Sequence, residues 1–421
     1  MQYIKDLSEI FPADTAYFYG YPLGWSDESR FLNTASPSSE ELVAARPLVC
    51  AGKHVDVVVF ARTVEDRVLK LLQHELGTEI TQRRIVIPSE VHIHLESTER
   101  NARIQQALQD SVRDRLLIMA QPYLHPEMEK KYLIDPKISF WANDKDNMRH
   151  FVPEEFLIPE LARAESGMEF KTMDSSKFPY PCVLKLSSSS GGDGVYICKT
   201  EADFKKAQKT FSNYDCPVLV LKYIEIMKEV GTKFAIYPGA TPRFGRVGAT
   251  KDFSNREGNW VGSLVGHNVE SEIAEQMYRV LETSVLPKLH AQGWYGVGEG
   301  GALVDKNGRF YFSDFNCRVT GDTAQTFQMN QNLFGGRQLV VFNGLRPGTL
   351  QDFANVVVPF ARRGDADQIV NVVAVAEYEE GVRIHGGVLF DQNEALMENV
   401  AHLQQLGIKS PLFNKVQEEG V

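Results

Sequence analysis

Three polar side chains alternate along the segment from Phe310 to Arg318, which reads FYFSDFNCR. Because successive side chains of a β-strand point to opposite faces, Asp314, Asn316 and Arg318 should line one face. A carboxylate and an amide oxygen are hard ligands that suit Mg²⁺, whereas a guanidinium binds a phosphoryl oxygen or a carboxylate but no metal. The segment therefore predicts a place where a metal and a phosphate meet. A half-buried strand with polar residues facing solvent would show the same alternation.

A tight turn should position this strand. Residues Asp305 to Gly308 read DKNG, which is typical of a β-hairpin turn, so the partner strand should include Gly301 to Val304. The preceding Gly296 to Gly301 matches the pattern GxGxxG. A dinucleotide-binding fingerprint opens a helix, whereas this run leads into the hairpin, so we interpret the match as accidental.

A second candidate site is the run of small residues from Ser187 to Gly194, SSSSGGDG, between two apolar strands. Its backbone N–H groups could wrap phosphate oxygens. It is not a Walker A loop, because no Gly-Lys-Ser/Thr ends it and a strand follows. Lys185 on the entering strand and Lys145 at the start of the preceding helix would supply positive charge. The alternatives are a flexible hairpin connection and two surface lysines.

Composition limits the class of protein. With 421 residues, 43% of them hydrophobic and 24% charged, the chain is typical of a globular protein. A prior of roughly 150 residues per domain gives about three domains. The net charge of −10 argues against a nucleic-acid partner. The five cysteines lack CxxC spacing, which predicts reduced thiols and a cytoplasmic protein, and no apolar run predicts a signal peptide or membrane insertion.

The order of patterns predicts an α/β (α+β) architecture. Apolar runs alternate with helical patterns in the first third, as in an open α/β sheet. Strand, loop, strand and helix then follow from near Asn143, and after residues 233–239 we expect a long loop, a helix over 270–292 and the hairpin. We predict an N-terminal domain over 1–138, a second domain over 139–347, and a small α+β appendage over 348–421. The second domain divides into a lid at about 150–225 and a core at about 226–347.

Five segments in sequence resemble the ATP-grasp superfamily over roughly residues 143–348: NDKDNMR, VLKLSSSSGGDGV, VLVLKYIE, GWYGVGEGGALVDKNG and FSDFNCRVTG. In that family an α/β domain precedes a lid with a glycine-rich loop and a core with the metal ligands, and ATP is clamped between two sheets. The resemblance implies ATP and Mg²⁺ as cofactors. It also implies ADP-forming ligation of a carboxylate to an amine through an acyl phosphate.

The resemblance assigns roles to individual residues. Arg318 matches the arginine that contacts phosphate or substrate, and Asp314 and Asn316 match the metal ligands. Leu221 to Ile224 resembles the hinge strand that reads the adenine edge, and Glu225 or Glu229 would meet the ribose. The predicted ATP-binding residues are Lys145, Lys185, Ser188, Ser189, Gly191, Gly192, Gly194, Lys222, Tyr223, Ile224 and Glu229.

Several positions depart from the family pattern. The second metal carboxylate of the family falls on Gly301, and Glu299, two residues earlier, could substitute for it. Asp314 stands where glutamate is usual, Cys317 where proline is common and Leu221 where the hinge often has glutamate. These departures indicate a divergent branch, most similar to peptide and amide ligases of natural-product pathways.

Substrates and partners stay open at this stage. We expect a small-molecule carboxylate and an amine, and a homodimer is one option. One alternative is transfer of the acyl group to the thiol of a carrier protein, and another is a noncatalytic nucleotide-binding protein. The segment from Gly248 to Trp260, with Lys251 and Arg256, is a substrate-pocket candidate or a solvated loop, and Thr320 to Asp322 should lie nearer the metal.

Overall fold

The computed structural model describes residues 3–20, 32, 36–89, 95–122, 125–189, 192–255, 258–267, 269–363 and 367–419. Its N-terminal part contains a four-stranded parallel sheet in the order β3-β2-β1-β4. The open α/β sheet predicted from alternating apolar and helical patterns is thereby confirmed. The elements are β1 Thr15–Phe18, α1 Pro37–Ala45, β2 Asp56–Phe60, α2 Asp66–Leu69, β3 Arg84–Ile87, α3 Ser97–Val112, β4 Leu116–Met119, α4 Pro126–Glu129 and α5 Pro136–Asn143.

A separate antiparallel sheet follows, in the order β5-β8-β6-β7. The predicted order of strand, loop and strand is present, because β6 pairs antiparallel with β7 on either side of the small-residue loop. A capping box between Thr200 and Asp203 starts helix α8, whose buried Phe204 stacks on Phe178 at a centroid distance of 5.0 Å. The elements are α6 Met148–Phe151, β5 Glu160–Ala164, α7 Gly167–Phe170, β6 Cys182–Leu186, β7 Val195–Cys198, α8 Glu201–Phe211 and β8 Val218–Lys222.

The largest sheet, called the central sheet below, has eight strands in the order β13-β12-β9-β10-β11-β14-β18-β17. The predicted helix over 270–292 is two helices, α9 and α10, joined by a π-helical turn at Leu281–Val285. The elements up to β14 are β9 Ile226–Ile236, β10 Phe244–Ser254, β11 Trp260–Val265, α9 Ser271–Val280, α10 Leu286–Ala291, β12 Gly296–Asp305, β13 Phe310–Asn316, α11 Thr323–Asn330 and β14 Gln338–Arg346. GxGxxG lies in β12, so the interpretation of that match as accidental agrees with the structure.

The prediction of a long loop after residues 233–239 is wrong. Strand β10 spans Phe244–Ser254 there and pairs with both β9 and β11. Its glycines suggested a loop, but they are required by packing. A Cβ on Gly248 would lie 2.5 Å from the Thr326 side chain, and one on Gly245 would lie 2.5 Å from Ile4.

The C-terminal segment extends the central sheet. Strand β18 pairs antiparallel with β14 from Gly381 to Phe390, and β17 adds to β18. Helices α12 and α13 supply apolar side chains to the core on this part of the sheet. The elements are α12 Leu350–Ala361, β15 Arg362–Arg363, β16 Asp367–Gln368, β17 Val370–Tyr378, β18 Gly381–Phe390, α13 Asn393–Gln405 and α14 Pro411–Glu419. The division of the chain at residues 138 and 347 stays a prediction.

None of the helices among the described residues has both the length and the apolar character that a bilayer crossing requires.

Candidate active site

A β-bulge in the β12–β13 hairpin places the polar residues. Gly301 pairs with Asp314 while Ala302 pairs with Phe312, so Ser313 is an extra residue without a pairing partner. The bulge shifts the alternation by one position. Phe312 and Phe315 therefore both point into the core, with ring centroids 5.0 Å apart, although they are three residues apart. Beyond the bulge, Asp314 and Asn316 face a cavity, as predicted.

The turn of the hairpin forms as predicted. The Asp305 carboxylate accepts hydrogen bonds from the backbone N–H groups of Asn307 (2.8 Å) and Arg309 (3.0 Å). Gly308 has φ +77°, a left-handed conformation that favours glycine. The turn thus sets the register that brings the Asp314 carboxylate to the cavity wall.

Two lysines converge on Asp314. Its Oδ1 lies 3.6 Å from Lys145 Nζ and 4.0 Å from Lys185 Nζ. Lys185 Nζ also donates to the Ser313 carbonyl (2.5 Å), and Lys145 Nζ donates to the Ser189 carbonyl (2.6 Å). Burial raises the pKa of the Asp314 carboxyl, but Lys145, Lys185 and then Arg318 outweigh it and hold the pKa at about 2. The carboxylate is therefore ionised at neutral pH.

Different elements position the two lysines. Lys145 begins a short 3₁₀ turn behind its N-cap Asp144, and its backbone N–H donates to the Ser187 carbonyl (2.9 Å). Lys185 lies on β6. Its pKa falls to about 8, because burial disfavours the charged amine and Lys145 repels it, while Asp314 partly restores the charge.

Arg318 continues the polar row past the end of β13. Only 8% of the residue is exposed, and its Nη1 donates to the Asn143 side-chain oxygen at 2.8 Å. Asn143 in turn donates to the Ser139 carbonyl within helix α5 (2.9 Å). This hydrogen bonding holds the guanidinium beside Asp314, where an anion in the cavity could contact it.

Most of the predicted site residues line one cavity of about 510 Å³. It contains Lys145, Lys185, Ser189, Gly192, Lys222, Tyr223, Ile224, Glu229, Glu299, Asp314, Asn316 and Arg318. Ser188 and Gly194 do not reach its wall; their carbonyls accept hydrogen bonds from Leu32 and Leu186. Gly191 and Arg256 lie outside the described residues. The roles assigned to all of these residues stay predictions.

One part of the cavity wall is apolar. Its side chains come from both sides of the cleft between the antiparallel sheet and the central sheet, and they are Ile158, Val183, Ile197, Leu221, Ile224 and Ala302. The chain segment after β8, Tyr223 to Glu225, links the two sheets at this point. An apolar slot beside exposed backbone is the environment that a planar heterocycle requires. Nearby, Glu229 accepts a hydrogen bond from Ser254 (2.7 Å), and burial raises its pKa.

A buried lysine lies within a group of carboxylates. Lys233 is fully buried and its Nζ lies 3.1 Å from Glu299 and 2.9 Å from Asp322. Carboxylate oxygens of Asp252, Glu299 and Asp322 lie within 4.8 Å of one another. A Cβ on Gly231 would lie 2.1 Å from the Glu299 carboxylate, so glycine is needed for this convergence. The Lys233 ammonium thus offsets part of the negative charge of these acids.

The ion pair with Lys233 bears on the predicted role of Glu299 as a metal ligand. Burial raises the pKa of the Glu299 carboxyl, and Lys233 opposes that rise. Glu299 is paired with a lysine, so its predicted role as a metal ligand competes with an ion pair already formed. Sequence reasoning missed Lys233. The sequence signal was a lysine within the apolar run that forms β9. In the structure this lysine lies directly opposite Glu299 in the register of β9 and β12.

The substrate-pocket segment is only partly in the cavity. Asp252, Ser254, Gly258 and Trp260 line it, together with Thr320 to Asp322. Lys251 instead forms an ion pair with Glu419 (3.4 Å) on the surface helix α14. Trp260 Nε1 donates to Ser263 (2.9 Å), and Ser263 donates to Asp252 (2.7 Å), which fixes the indole beside Gly321.

The donor set at the hairpin fits a magnesium ion. Among the residues that the structure describes, none donates a hydrogen bond to the buried Oδ1 of Asp314. The other oxygen, Oδ2, accepts only one amide hydrogen from Asn316 (3.0 Å) within this group. A carboxylate oxygen with unused acceptor capacity next to an amide oxygen is a hard-ligand site. Asp314 and Asn316 are the residues that would hold the metal.

Comparisons with known proteins agree with this geometry. A family model described as L-aspartate–L-methionine ligase, ATP grasp, matches residues 164–316, which include the lid loop and the hairpin. Among solved structures, an N5-carboxyaminoimidazole ribonucleotide synthetase in complex with ADP superposes with a TM-score of 0.57 at 12% identity, covering 94% of this chain and 97% of that one. The part of the chain that carries the lid loop and the hairpin thus matches an ATP-grasp family model, and the solved structure shows the same fold.

Two further matches are with proteins of low sequence identity. Biotin carboxylase from Campylobacter jejuni superposes with a TM-score of 0.55 at 15% identity, covering 85% of this chain and 87% of that one. The formate-dependent phosphoribosylglycinamide formyltransferase of Bacillus subtilis (strain 168) is 24% identical over 200 residues. That match covers 45% of this chain and 48% of the relative, so the chain matches about half the length of this curated relative. At these identities the solved structures show the fold.

Proposed function

We propose that this ATP-grasp protein is an ADP-forming ligase that joins a carboxylate to an amine through an acyl phosphate. The convergence of Lys145, Lys185 and Arg318 on the Asp314–Asn316 pair, inside one cavity with an apolar slot, carries the proposal. Fixed positive charges beside hard oxygen ligands are what phosphoryl transfer between two oxyanions requires. The family match and the fold of the ligases found by comparison support it.

The reaction has two balanced steps. A substrate carboxylate oxygen attacks the γ-phosphorus of ATP, and ADP leaves. The amine nitrogen then attacks the acyl carbon, inorganic phosphate leaves, and the nitrogen loses a proton. Lys145, Lys185 and Arg318 offset the negative charge around the transferred phosphoryl group. Mg²⁺ held by Asp314 and Asn316 would supply further charge neutralisation at the phosphates.

An acceptor for the amine proton is available in the same cavity wall. Burial, then the neighbouring Glu299 and Asp322, raises the pKa of Asp252 well above its usual value. We assign proton removal to Asp252 because its side chain lines the same cavity, where Ser263 donates a hydrogen bond to it (2.7 Å).

Substrates are proposed only as classes, an amino acid or small carboxylic acid and an amine. The name of the matching family model makes L-aspartate and L-methionine the first pair to test. A homodimer, a carrier-protein acceptor and a cytoplasmic location remain predictions.

The function is tested by mass spectrometry of a reaction containing Mg²⁺-ATP, hydroxylamine and a panel of amino acids and small carboxylic acids, with ADP measured in parallel. We expect a hydroxamate in a 1:1 ratio with ADP, and a dipeptide when L-methionine replaces hydroxylamine. A thioester with an added thiol in place of the amide would instead show acyl transfer to sulfur. Tight ATP binding with no ADP release across the panel would favour a noncatalytic nucleotide-binding protein.

Lys185 should control nucleotide affinity. Replacing it by alanine removes a charge-assisted hydrogen bond to a phosphate, so we expect ATP binding to weaken by about 1.5–3 kcal/mol. Isothermal titration calorimetry with Mg²⁺-ATP measures this change. An unaltered affinity would contradict the assignment.

The same residue predicts a pH dependence. Lys185 has a pKa of about 8, and its protonated form attracts phosphate, so ATP affinity should fall as the pH rises through 8. The fall should approach tenfold per pH unit until the higher pKa of the ATP complex is reached. In Lys185→Arg the guanidinium stays charged, so the affinity should be flat from about pH 7 to 9. Equal slopes in both proteins would show that another group titrates.

A further inference from the structure

A second cavity lies beside the first one, which contains the candidate active site. Its volume is about 490 Å³, which is within the range of small-molecule pockets. The residues that line both cavities are Lys145, Ile158, Lys185, Leu221 and Ser313. These residues therefore form the wall between the two cavities.

The antiparallel sheet determines which side chains face each cavity. In the register of β6 and β8, Val183 lies opposite Leu221, and Lys185 lies opposite Leu219. These four side chains share one face of the sheet, because the residues that alternate with them pack into the apolar core on the other face. Of the two cavities, Val183 lines the first and Leu219 lines the second. Leu221 lies between them and borders both.

Ile158 and Leu221 make the apolar half of the wall. The backbone N–H of Lys222 donates to the Pro159 carbonyl (2.9 Å), so the two chain segments are adjacent. Both side chains also belong to the apolar slot of the first cavity. The slot therefore ends at two aliphatic side chains, and the second cavity lies behind them.

The second cavity can take an apolar group more readily than a charged one. Leu219 and Phe312 contribute apolar surface to its lining. Arg163, which also lines it, is ion-paired with Asp146 (2.6 Å) and Glu160 (2.8 Å). A charged ligand would have to compete with these pairs, whereas an aromatic group can pack on the apolar lining.

We infer that Leu221, together with Ile158, determines nucleotide specificity by closing the apolar slot against a base with a large substituent on its exocyclic amine. The inference rests on the proposed function, since it takes the slot as the part of an ATP site that binds the base. Tyr223 and Ile224, which follow Leu221, line the slot. Their backbone can read the amine and the adjacent ring nitrogen of adenine, because a carbonyl accepts and an N–H donates. A base bound in this way directs a substituent on the amine toward Leu221.

Calorimetry on the whole protein with Mg²⁺-ADP and Mg²⁺-N6-benzyl-ADP tests the wall without turnover. We expect the wild type to bind N6-benzyl-ADP at least roughly tenfold more weakly than ADP, because the benzyl group meets the wall. Leu221→Ala removes most of the side chain and opens a passage to the second cavity. Binding of N6-benzyl-ADP should then tighten by about 10- to 100-fold, while the affinity for ADP changes by less than about threefold.

A neighbouring leucine provides the matched control. Leu219 lies on the same strand and the same face as Leu221 but lines the second cavity. Leu219→Ala enlarges that cavity without opening the wall, so it should keep the wild-type preference for ADP. Thermal denaturation reports whether each variant is folded, and Ile158→Ala replaces Leu221→Ala if the latter does not fold.

The outcomes separate the wall from the proposed reaction. Equal affinity of the wild type for the two nucleotides, no gain in Leu221→Ala, or the same gain in Leu219→Ala would overturn the inference. A gain confined to the wall variant, without ADP release from ATP across the substrate panel, would uphold the role of Leu221 and contradict the proposed ligase activity. A wild-type protein that binds neither nucleotide would contradict both.

Discussion

Replacing Asp314 by alanine should lower the rate of ADP release by about 10³-fold, because it removes the carboxylate on which the site converges. Asp314 Oδ1 lies 3.6 Å from Lys145 Nζ and 4.0 Å from Lys185 Nζ, and Asp314 is the carboxylate proposed to hold the metal. Without the Asp314 carboxylate, the ammonium groups of Lys145 and Lys185 lose the negative charge that now lies next to both of them. The measurement is steady-state ADP release under saturating ATP with the best substrate pair, over a range of Mg²⁺ concentrations.

Two companion variants isolate the cause. Asp314→Asn keeps the size of the side chain but lacks the charge, so it should lose nearly as much activity as the alanine variant. Asp391→Ala changes an exposed aspartate after β18 and should retain wild-type activity. Thermal denaturation should show that all three variants are folded. Wild-type turnover in Asp314→Ala would disprove the metal-ligand assignment.

Replacing Lys233 by methionine should destabilise the protein by about 3–5 kcal/mol, the cost of leaving a buried charge without its partner. Methionine has a similar length, so the cavity stays filled and the effect is electrostatic. Glu299 and Asp322, both almost fully buried, lose the ammonium that lies 3.1 Å and 2.9 Å from them. Urea unfolding at pH 7 measures the change in free energy, with the exposed Lys209→Met on helix α8 as the matched control.

The sign of the pH dependence separates this explanation from simple misfolding. Without Lys233, burial raises the pKa of Glu299 and Asp322 in the folded variant above their unfolded values, near 4. Stability is then lost as the pH rises through these pKa values and recovered on acidification, when the carboxyls become neutral. The deficit relative to wild type should therefore be smaller at pH 5 than at pH 7. A deficit independent of pH would point to packing instead of charge.

Local patterns were enough to predict which polar residues of the hairpin lie together, at what the structure shows to be a cavity wall. Asp314, Asn316 and Arg318 follow a short-range alternation next to a recognisable turn, and Lys145 and Lys185 flank a loop of small residues. The bulge at Ser313 was not predictable, because it arises from tertiary packing that brings both Phe312 and Phe315, three residues apart, into the same core. Strict alternation would have placed Phe312 on the same face as Asp314.

Long-range pairings were not visible in the sequence. Lys233 and Glu299 meet only because β9 and β12 become neighbours in the central sheet. Arg46 and Arg383 are far apart in the sequence, yet both line the same cavity. Strand β10 was predicted as a loop because its glycines, which allow close packing, are also frequent in loops. Such contacts depend on tertiary packing, which composition and spacing do not specify.

The extra residue of the bulge has a consequence for nucleotide exchange. The Ser313 carbonyl accepts a hydrogen bond from the Lys185 ammonium, and the Ser189 carbonyl accepts one from that of Lys145, so both lysines already have backbone oxygen partners. An arriving phosphate must compete with these carbonyls for the same hydrogens. Nucleotide binding then exchanges one set of hydrogen bonds for another. Its net enthalpy should therefore be smaller than the number of contacts formed would suggest. Departure of ADP is helped for the same reason, because the lysines can return to the backbone oxygens as the phosphates leave.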